Sequence, residues 1–291
     1  MIEDGPVGVL LREWRRRRKI SQLDLAIRAD VSPRHISFVE TGRTIPSSAM
    51  VLRLAEHLSV PLRERNRLLV AAGHAPIYRQ RPFDDPDMVR VREALEQFVR
   101  AHEPYPALAV DRRWNLVLAN DAAGIFLDGV DSALLRPPVN MMRLGLHPRG
   151  FASRVTNLGQ VRAHLLPRLA RQAAQSGDPE LHALYEELVS YGSPADHPQP
   201  DPAEIALPIH LEYRGTRLCF INAITTFGAA FDITLAEIAV ETYLPADTET
   251  ARFLAAEIDI QAPRHPGPVR PARCGRTGPV PGWPSVGSRG R

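Results

Sequence analysis

Residues 20–43 read ISQLDLAIRADVSPRHISFVETGR, and this stretch decides the fold of the N-terminal part of the chain. Ser21 and Ser32 each precede a short run with helical apolar spacing, where a side-chain oxygen commonly caps a helix N-terminus. Pro33 occupies the favoured first helical position, and Gly42 ends the second run. The spacing therefore predicts two short helices joined by a tight turn.

The two predicted helices can cross closely because the residue expected at the crossing is small. That residue is Ala26, and Val31, Ile36 and Val39 are spaced to fill the volume between the helices. With Ile36 and Val39 turned inward, the other faces of the second helix remain exposed, and its N-terminus can enter the major groove of DNA. The pattern indicates a helix-turn-helix motif.

Three further helices flank this pair in the sequence. Apolar residues repeat with helical spacing between 7 and 14, from about 47, and from about 62 until Gly73. We therefore predict an all-α five-helix DNA-binding domain over residues 1–73. A Pro-containing linker is expected over residues 74–85.

The N-terminal features together resemble the XRE-type helix-turn-helix family, that of Cro and the phage repressors. The matching residues are Leu11, Arg12, Arg15, Ile20, Ser21, Gln22, Leu25, Ala26, Val31, Ser32, Ile36, Val39, Glu40, Thr41, Gly42 and Arg43. The resemblance implies a bacterial transcriptional regulator that binds a double-stranded DNA operator. The chain departs from the family at Asp30, where Gly is usual, but Asp tolerates a left-handed backbone better than most residues.

The resemblance also implies roles for residues at the edges of the motif. Gln22, at the start of the second helix, and Thr41 and Arg43, just past the recognition helix, are expected to contact phosphate. Arg15 and Glu40 match a pair that forms a structural ion bridge within such folds.

Base reading in this family comes mainly from the first, second and sixth residues of the recognition helix. These are Pro33, Arg34 and Phe38 here. Only Arg34 can donate hydrogen bonds, and Arg suits guanine O6 and N7, whereas Pro33 and Phe38 suit thymine methyl groups. His35 and Ser37 are further polar candidates.

Charge is distributed unevenly along the chain. Residues 1–80 hold 14 Lys and Arg against 8 Asp and Glu, residues 262–291 hold 6 Arg and no acidic residue, and acidic residues are in excess between them. This distribution fits a DNA-binding module joined to a separate domain. We expect a homodimer on two half-sites, because one module buries little surface. We also expect a disordered basic Pro/Gly/Arg tail over 262–291.

The sequence pattern changes after residue 85. Apolar runs at 107–110 and 116–119 predict a β-hairpin around an Asp-containing turn, followed by a helix capped by Asn120. A mixed sheet with helices over one face is expected, which is an α/β (α+β) domain over 86–261. The remaining predicted helices cover 86–101, 158–175, 179–190 and 247–258, and the remaining predicted strands cover 204–213, 216–224 and 233–243.

The order strand, Asp turn, strand, Asn, helix resembles the opening of a PAS-like sensor domain. The wider segment 80–258 resembles the MmyB-like ligand-binding family, which follows an XRE-type domain in many bacterial regulators. The matching segments are 102–107, 111–115, 119–120, 138–140, 146–148, 157–159, 162–164 and 225–228, with Leu144. The resemblance implies a PAS-like pocket for a small apolar, fatty-acid-like effector. We expect the effector to shift the population of DNA-competent dimers through the linker.

Candidate ligand-binding residues are apolar side chains for the walls of such a pocket and polar ones for a head group. Each apolar candidate is also explained as ordinary core. The apolar candidates are Trp114, Phe126, Met141, Met142 and Phe220, and the polar candidates are Asn157, His164, Thr225 and Thr226.

Several other classes of function have no support in the sequence. No G-x-S-x-G, P-loop, H-E-x-x-H or cysteine cluster occurs, so we expect no enzyme, no catalytic residue, no metal and no cofactor. Cys219 and Cys274 are expected to be free thiols in a cytoplasmic protein. No apolar run is long enough to span a membrane. The remaining alternative is a DNA-binding adaptor, whose C-terminal domain recruits a protein partner through an exposed apolar patch and binds no small molecule.

Overall fold

The computed structural model describes residues 6–176, 178–192 and 206–261. Its N-terminal part is a bundle of the helices that the sequence predicts, packed around one apolar core. The helices are α1 (Val7–Arg17), α2 (Gln22–Arg28), α3 (Pro33–Glu40), α4 (Ser48–His57) and α5 (Leu62–Ala71). The helix-turn-helix interpretation of α2 and α3 is confirmed at the level of the fold.

Side-chain caps explain where α2 and α3 begin. The Ser21 hydroxyl accepts a hydrogen bond from the backbone N–H of Asp24 at 3.0 Å, and the Ser32 hydroxyl accepts one from His35 at 3.1 Å. Between the helices, Asp30 adopts a φ of 50°, the left-handed conformation expected of the turn. Ala26 is fully buried at the crossing.

The close contact between α1 and the end of α3 depends on Gly8. A Cβ atom built at this position would lie only 2.2 Å from the carbonyl oxygen of Val39. No side chain fits there without a shift of backbone, so glycine sets the distance between the two helices.

The C-terminal part is built on an antiparallel sheet. Within the described ranges its strands are β1 (Ala107–Val110), β2 (Leu116–Ala119), β3 (Pro208–Tyr213), β4 (Thr216–Thr226) and β5 (Ala239–Pro245), in the order β2-β1-β5-β4-β3. The expectation of a mixed sheet is wrong. Strand β5 lies between the two hairpins and runs antiparallel to both β1 and β4, so every neighbouring pair is antiparallel.

Helices cover both faces of this sheet. Helix α6 packs on one face, where Leu95 and Val99 meet the alternating side chains of β1 and β5. The opposite face carries the larger core, formed with helices that follow β2. The helices of the C-terminal part are α6 (Val89–Arg100), α7 (Gly124–Leu127), α8 (Met141–Leu146), α9 (Leu158–Ser176), α10 (Pro179–Ser190), α11 (Ile233–Ala236) and α12 (Thr248–Gln261).

Two elements differ from the sequence-based prediction. The strand predicted over 233–243 begins instead with the short helix α11, because the Asp232 carboxylate accepts the backbone N–H of Thr234 at 2.9 Å and caps a helical turn. Helix α8 was not predicted, and it begins where the Asn140 side chain accepts the N–H of Arg143 at 3.1 Å.

The predicted linker over 74–85 is held by both parts of the chain. Asn66 of α5 donates to the carbonyl of Tyr78 at 2.7 Å and accepts the Tyr78 N–H at 3.1 Å. Further along, the Arg81 guanidinium pairs with Asp232 at 2.9 Å. The segment therefore connects α5 to the start of α11. The tail predicted over 262–291, with Cys274, lies outside the described residues.

Candidate DNA-reading surface and ligand cavity

The recognition helix α3 presents its N-terminus and one face to solvent. Pro33, Arg34, Thr41 and Arg43 are exposed, and the remaining candidates are partly exposed, namely His35, Ser37 and Phe38. Because Ile36 and Val39 are buried against α2 and the bundle, the predicted DNA-contacting residues of α3 and its C-terminal turn remain at least partly exposed.

Phe38 organises the basic side chains on this surface. The guanidinium of Arg34 lies 5.1 Å from the centroid of the Phe38 ring, and that of Arg43 lies 5.6 Å from it. Cation–π contacts of this kind are attractive but weak at exposed sites. The two guanidinium groups, one from the N-terminal end of the helix and one from the turn after it, therefore lie near the same aromatic ring.

Glu40, the last residue of the recognition helix, carries a buried charge. Its carboxylate accepts two hydrogen bonds from Arg15, at 2.6 and 2.8 Å, and one from Gln22 at 2.8 Å. Burial acts to raise the pKa of Glu40, but the hydrogen bonds from Arg15 and Gln22 and the attraction of Arg15 and Arg12 outweigh it and lower the pKa. The structure thus joins the two residues of the expected ion pair and adds the amide of Gln22 to them.

A cavity of about 290 Å³ lies between the sheet and helices α8 and α9. Its walls are mainly apolar, with a small number of polar groups. Its lining includes Trp114, Phe126, Leu165, Arg168, Asn222, Glu241 and Tyr243.

The polar groups of the cavity come from β4, β5 and α9. Glu241 is 6% exposed, and its carboxylate accepts one hydrogen bond from the Tyr243 hydroxyl at 2.8 Å. Burial raises the pKa of Glu241, against the smaller opposing effects of that hydrogen bond and of Arg168. The side-chain nitrogen of Asn222 is buried and has no hydrogen-bond partner in the part of the chain that the structure describes.

Trp114 forms part of the cavity wall in an unusual backbone conformation. Its φ is 68°, in the left-handed region that a bulky residue rarely adopts. Its indole N–H donates to the Gln172 side chain at 2.8 Å, and that side chain donates to the carbonyl of Arg112 at 2.6 Å. The Arg168 guanidinium lies 4.8 Å from the Trp114 ring centroid. The surrounding contacts thus fix the ring.

An ion-pair cluster, formed by Arg63, Arg112, Arg113, Asp178 and Glu237, lies beside this wall. Arg63 of α5 holds both oxygens of Glu237, at 2.7 and 2.8 Å. Arg112 lies 3.6 Å from Glu237 and 2.9 Å from Asp178, and Arg113 also pairs with Asp178 at 2.8 Å. The cluster therefore connects the N-terminal bundle of helices α1 to α5 with the turn before Trp114 and with the residues just before β5.

Comparison with known families agrees with both parts of the architecture. Residues 6–68 match the model of a helix-turn-helix domain, and residues 91–256 match the model of the MmyB-like transcription regulator ligand binding domain. The chain belongs to the MmyB-like transcription regulators. It is a transcriptional regulator with a helix-turn-helix DNA-binding domain and an MmyB-like ligand-binding domain.

Two individual proteins resemble parts of this MmyB-like regulator. The uncharacterized HTH-type transcriptional regulator RghRB of Bacillus subtilis (strain 168) is 35% identical over 102 residues, which are 35% of this chain and 65% of that protein. The solved structure of the clp gene regulator ClgR from Corynebacterium glutamicum is 22% identical and covers 34% of this chain and 90% of its own, with a TM-score of 0.21, too low to bear on the fold.

The structure brings some of the predicted ligand-binding residues to the cavity of the MmyB-like domain. Those that line it are Trp114, Phe126, Met141, Met142 and His164. Phe220 does not line it but is buried beneath it, with its ring 6.1 Å from that of Phe126. Its expected place in the wall is therefore corrected to the core.

The other polar candidates lie away from the cavity. Asn157 uses its amide to donate to the carbonyl of Pro208 at 2.7 Å and to accept the N–H of His210 at 3.0 Å, so it fixes the start of β3. Thr225 and Thr226 are exposed at the end of β4, beyond the part of that strand that lines the cavity. The predicted head-group set therefore is not assembled in the structure, except for His164.

Sequence reasoning missed the polar residues that do reach the cavity. Glu241 and Tyr243 alternate on β5, and Asn222 pairs with Tyr243 across the strands, so all three face the same side of the sheet. The carboxylate of Glu241, directly after the apolar run of residues 238–240, was a usable signal, because a buried strand seldom carries an unpaired charge.

We predict that Arg15→Ala lowers the free energy of unfolding by about 3 kcal/mol, because it leaves the Glu40 carboxylate buried without its cation. Chemical denaturation at neutral pH measures the effect. The matched control is Arg17→Ala, which removes an exposed guanidinium 3.9 Å from Glu13 and is expected to cost about 1 kcal/mol or less.

The pH dependence of the same measurement checks the cause. Because the pKa of Glu40 is lowered in the folded protein, its contribution is present above the ordinary pKa of a glutamate and is lost as the pH falls through the lowered value. Equal losses for Arg15→Ala and Arg17→Ala at neutral pH would contradict a structural role for the pair.

Proposed function

We propose that this regulator reads its operator with α3 and responds to a small apolar effector held in the cavity of its MmyB-like domain. The observation that carries the proposal is the pairing, in one chain, of an exposed basic recognition helix with a mainly apolar cavity about 290 Å³ in volume. No helix in the described ranges has the length and apolar character needed to cross a membrane.

DNA reading is assigned to the solvent side of α3. Arg34 stands at the exposed N-terminal end of the helix, where it donates to guanine, and Phe38 offers its ring to a thymine methyl group. Pro33, His35 and Ser37 complete the surface that enters the groove. Thr41, Arg43 and the N-terminus of α2 at Gln22 contact phosphate on either side. A homodimer places two such helices on successive half-sites.

Effector binding is assigned to the cavity on the basis of its walls. Apolar surface from α8, α9 and the sheet surrounds it, and the polar groups are confined to a few positions. Such a composition suits a fatty-acid-like or other amphipathic molecule, whose tail gains from leaving water. The adaptor alternative draws on exposed apolar side chains, of which Phe231 is 84% exposed, but it gives the cavity no role.

Communication between the two parts is assigned to the ion-pair cluster. Trp114 directly follows Arg112 and Arg113, and β5 carries Glu241 a few residues after Glu237. A ligand that moves either wall changes the position of the groups that hold Arg63 on α5. The segment over 74–85 adds a parallel connection through Tyr78 and Arg81. The domain limits predicted at residues 73, 86 and 261 are retained in this proposal.

Arg34→Ala is expected to weaken binding to the operator by about 1–3 kcal/mol and to relax preference at one base pair, because a base-specific donor is lost. Binding to fragments of the promoter region and to random DNA measures it. Arg43→Ala is the contrasting variant, since loss of a phosphate contact weakens both DNAs alike. Equal weakening of the two DNAs by Arg34→Ala would refute the base-reading role.

Leu165→Trp is expected to fill the cavity and to lower the affinity for the neutral apolar dye N-phenyl-1-naphthylamine by about tenfold or more, which is about 1.4 kcal/mol of binding free energy. Fluorescence titration measures the affinity. The matched control is Leu244→Trp, because Leu244 is 40% exposed and does not line the cavity. If the dye does not bind the unmodified protein, or both variants bind it equally well, the adaptor function replaces the sensor function.

A further inference from the structure

The polar groups inside the cavity are incompletely satisfied. The Tyr243 hydroxyl donates to Oε2 of Glu241 at 2.8 Å, and the Asn222 amide nitrogen is buried without an acceptor within the described ranges. A buried polar group without a hydrogen-bond partner destabilises the folded protein unless a bound molecule forms that hydrogen bond. The cavity therefore has a polar end formed by Asn222, Glu241 and Tyr243, which the sequence analysis did not predict.

The three residues share one side of the sheet. In the register of β4 and β5, Asn222 pairs with Tyr243, and Ile224 pairs with Glu241, so Asn222 and Glu241 are diagonal neighbours. A single head group in the cavity can therefore accept from the Asn222 amide and donate to the Glu241 carboxyl group. A carboxylate head can accept only, whereas a carboxamide or hydroxyl head does both.

The charged groups that line the cavity also favour a ligand with an uncharged head group. Glu241 and Arg168 both line the cavity, so the protein already supplies one acidic and one basic group there. Two carboxyl groups held together at a buried site cannot both ionise without strong repulsion, so a ligand carboxylate is disfavoured beside Glu241, which is 6% exposed. An uncharged head avoids that repulsion and still completes the hydrogen bonds.

We propose that Glu241 and Asn222 select, within the effector cavity, amphipathic molecules whose head is uncharged and carries both a hydrogen-bond donor and an acceptor, as in a carboxamide or an alcohol. Glu241 is the specificity-determining residue, because it accepts from the head group and repels its carboxylate counterpart. The inference rests on the proposed effector function, since it names the ligand class for the same cavity.

The experiment compares two isosteric ligands on two isosteric proteins. Decanamide and decanoate differ only in the head group, and Glu241→Gln replaces a carboxyl group with an amide of the same shape that still accepts from Tyr243. Binding is measured on the full chain by displacement of N-phenyl-1-naphthylamine, at a pH where decanoate is ionised. Thermal unfolding of Glu241→Gln checks that the variant is folded. Leu244→Gln serves as a control substitution outside the cavity.

We expect the unmodified protein to bind decanamide about tenfold or more tightly than decanoate, and Glu241→Gln to reduce that preference to about twofold or less, because a site built to hydrogen-bond one head rejects its analogue. Leu244→Gln should keep the full preference. Decanoate binding as tightly as decanamide to the unmodified protein overturns the inference but leaves the effector function intact. If the unmodified protein does not bind the dye, the proposed effector function is contradicted, and the inference about the head group is contradicted with it.

Discussion

The two-pronged ion pair between Arg63 and Glu237 is the contact on which the proposed communication between the two parts of this regulator depends. Arg63 belongs to α5, the last helix of the DNA-reading bundle, and Glu237 stands directly before the central strand β5. Both side chains are about three-quarters buried, at 27% and 23% exposure, so solvent screens the pair less than an ordinary surface bridge. Their geometry ties the position of α5 to that of the sheet.

The same pair is continuous with the wall of the cavity in two directions. Along β5, the chain passes from Glu237 to Glu241 and Tyr243, which form the polar end. Through Arg112 it reaches the turn that holds Trp114 in a left-handed conformation. Strain of this kind persists only where surrounding contacts fix it, and here Gln172 does so from α9. In the proposed function, a ligand that touches the cavity wall would therefore act on residues that the N-terminal helix bundle also contacts.

Sequence alone predicted the N-terminal part well, because local signals determine it. Ser21 and Ser32 cap helices α2 and α3, and Ala26 allows these two helices to cross closely. The apolar spacing of α3 leaves Arg34 exposed. The family resemblance supplied Arg15 and Glu40, which lie far apart in the chain yet meet in the structure. Gln22 was expected at phosphate alone, and its hydrogen bond to Glu40 could not be read from spacing.

The C-terminal part was predicted less completely, because its cavity is assembled from distant strands. The hairpin and the helices α9 and α10 followed from periodicity. The antiparallel placement of β5 between β1 and β4 depends on the whole sheet, and with it the meeting of Asn222 with Glu241 and Tyr243. Without that register, Thr225 and Thr226 were chosen for the head group and Asn222 was missed. A carboxylate in a buried strand was the local signal that pointed to the true polar end.

The most direct test of the account is a double-mutant cycle on DNA affinity, in which Leu165→Trp stands for an occupied cavity and Arg63→Gln breaks the contact with Glu237. The dissociation constant for the promoter fragment is measured for the unmodified protein, both single variants and the double variant. The account predicts that Leu165→Trp changes the constant by about fivefold or more, and by about twofold or less in the Arg63→Gln background. The same change in both backgrounds would contradict it, because the cavity would then act on DNA binding without the Arg63–Glu237 contact.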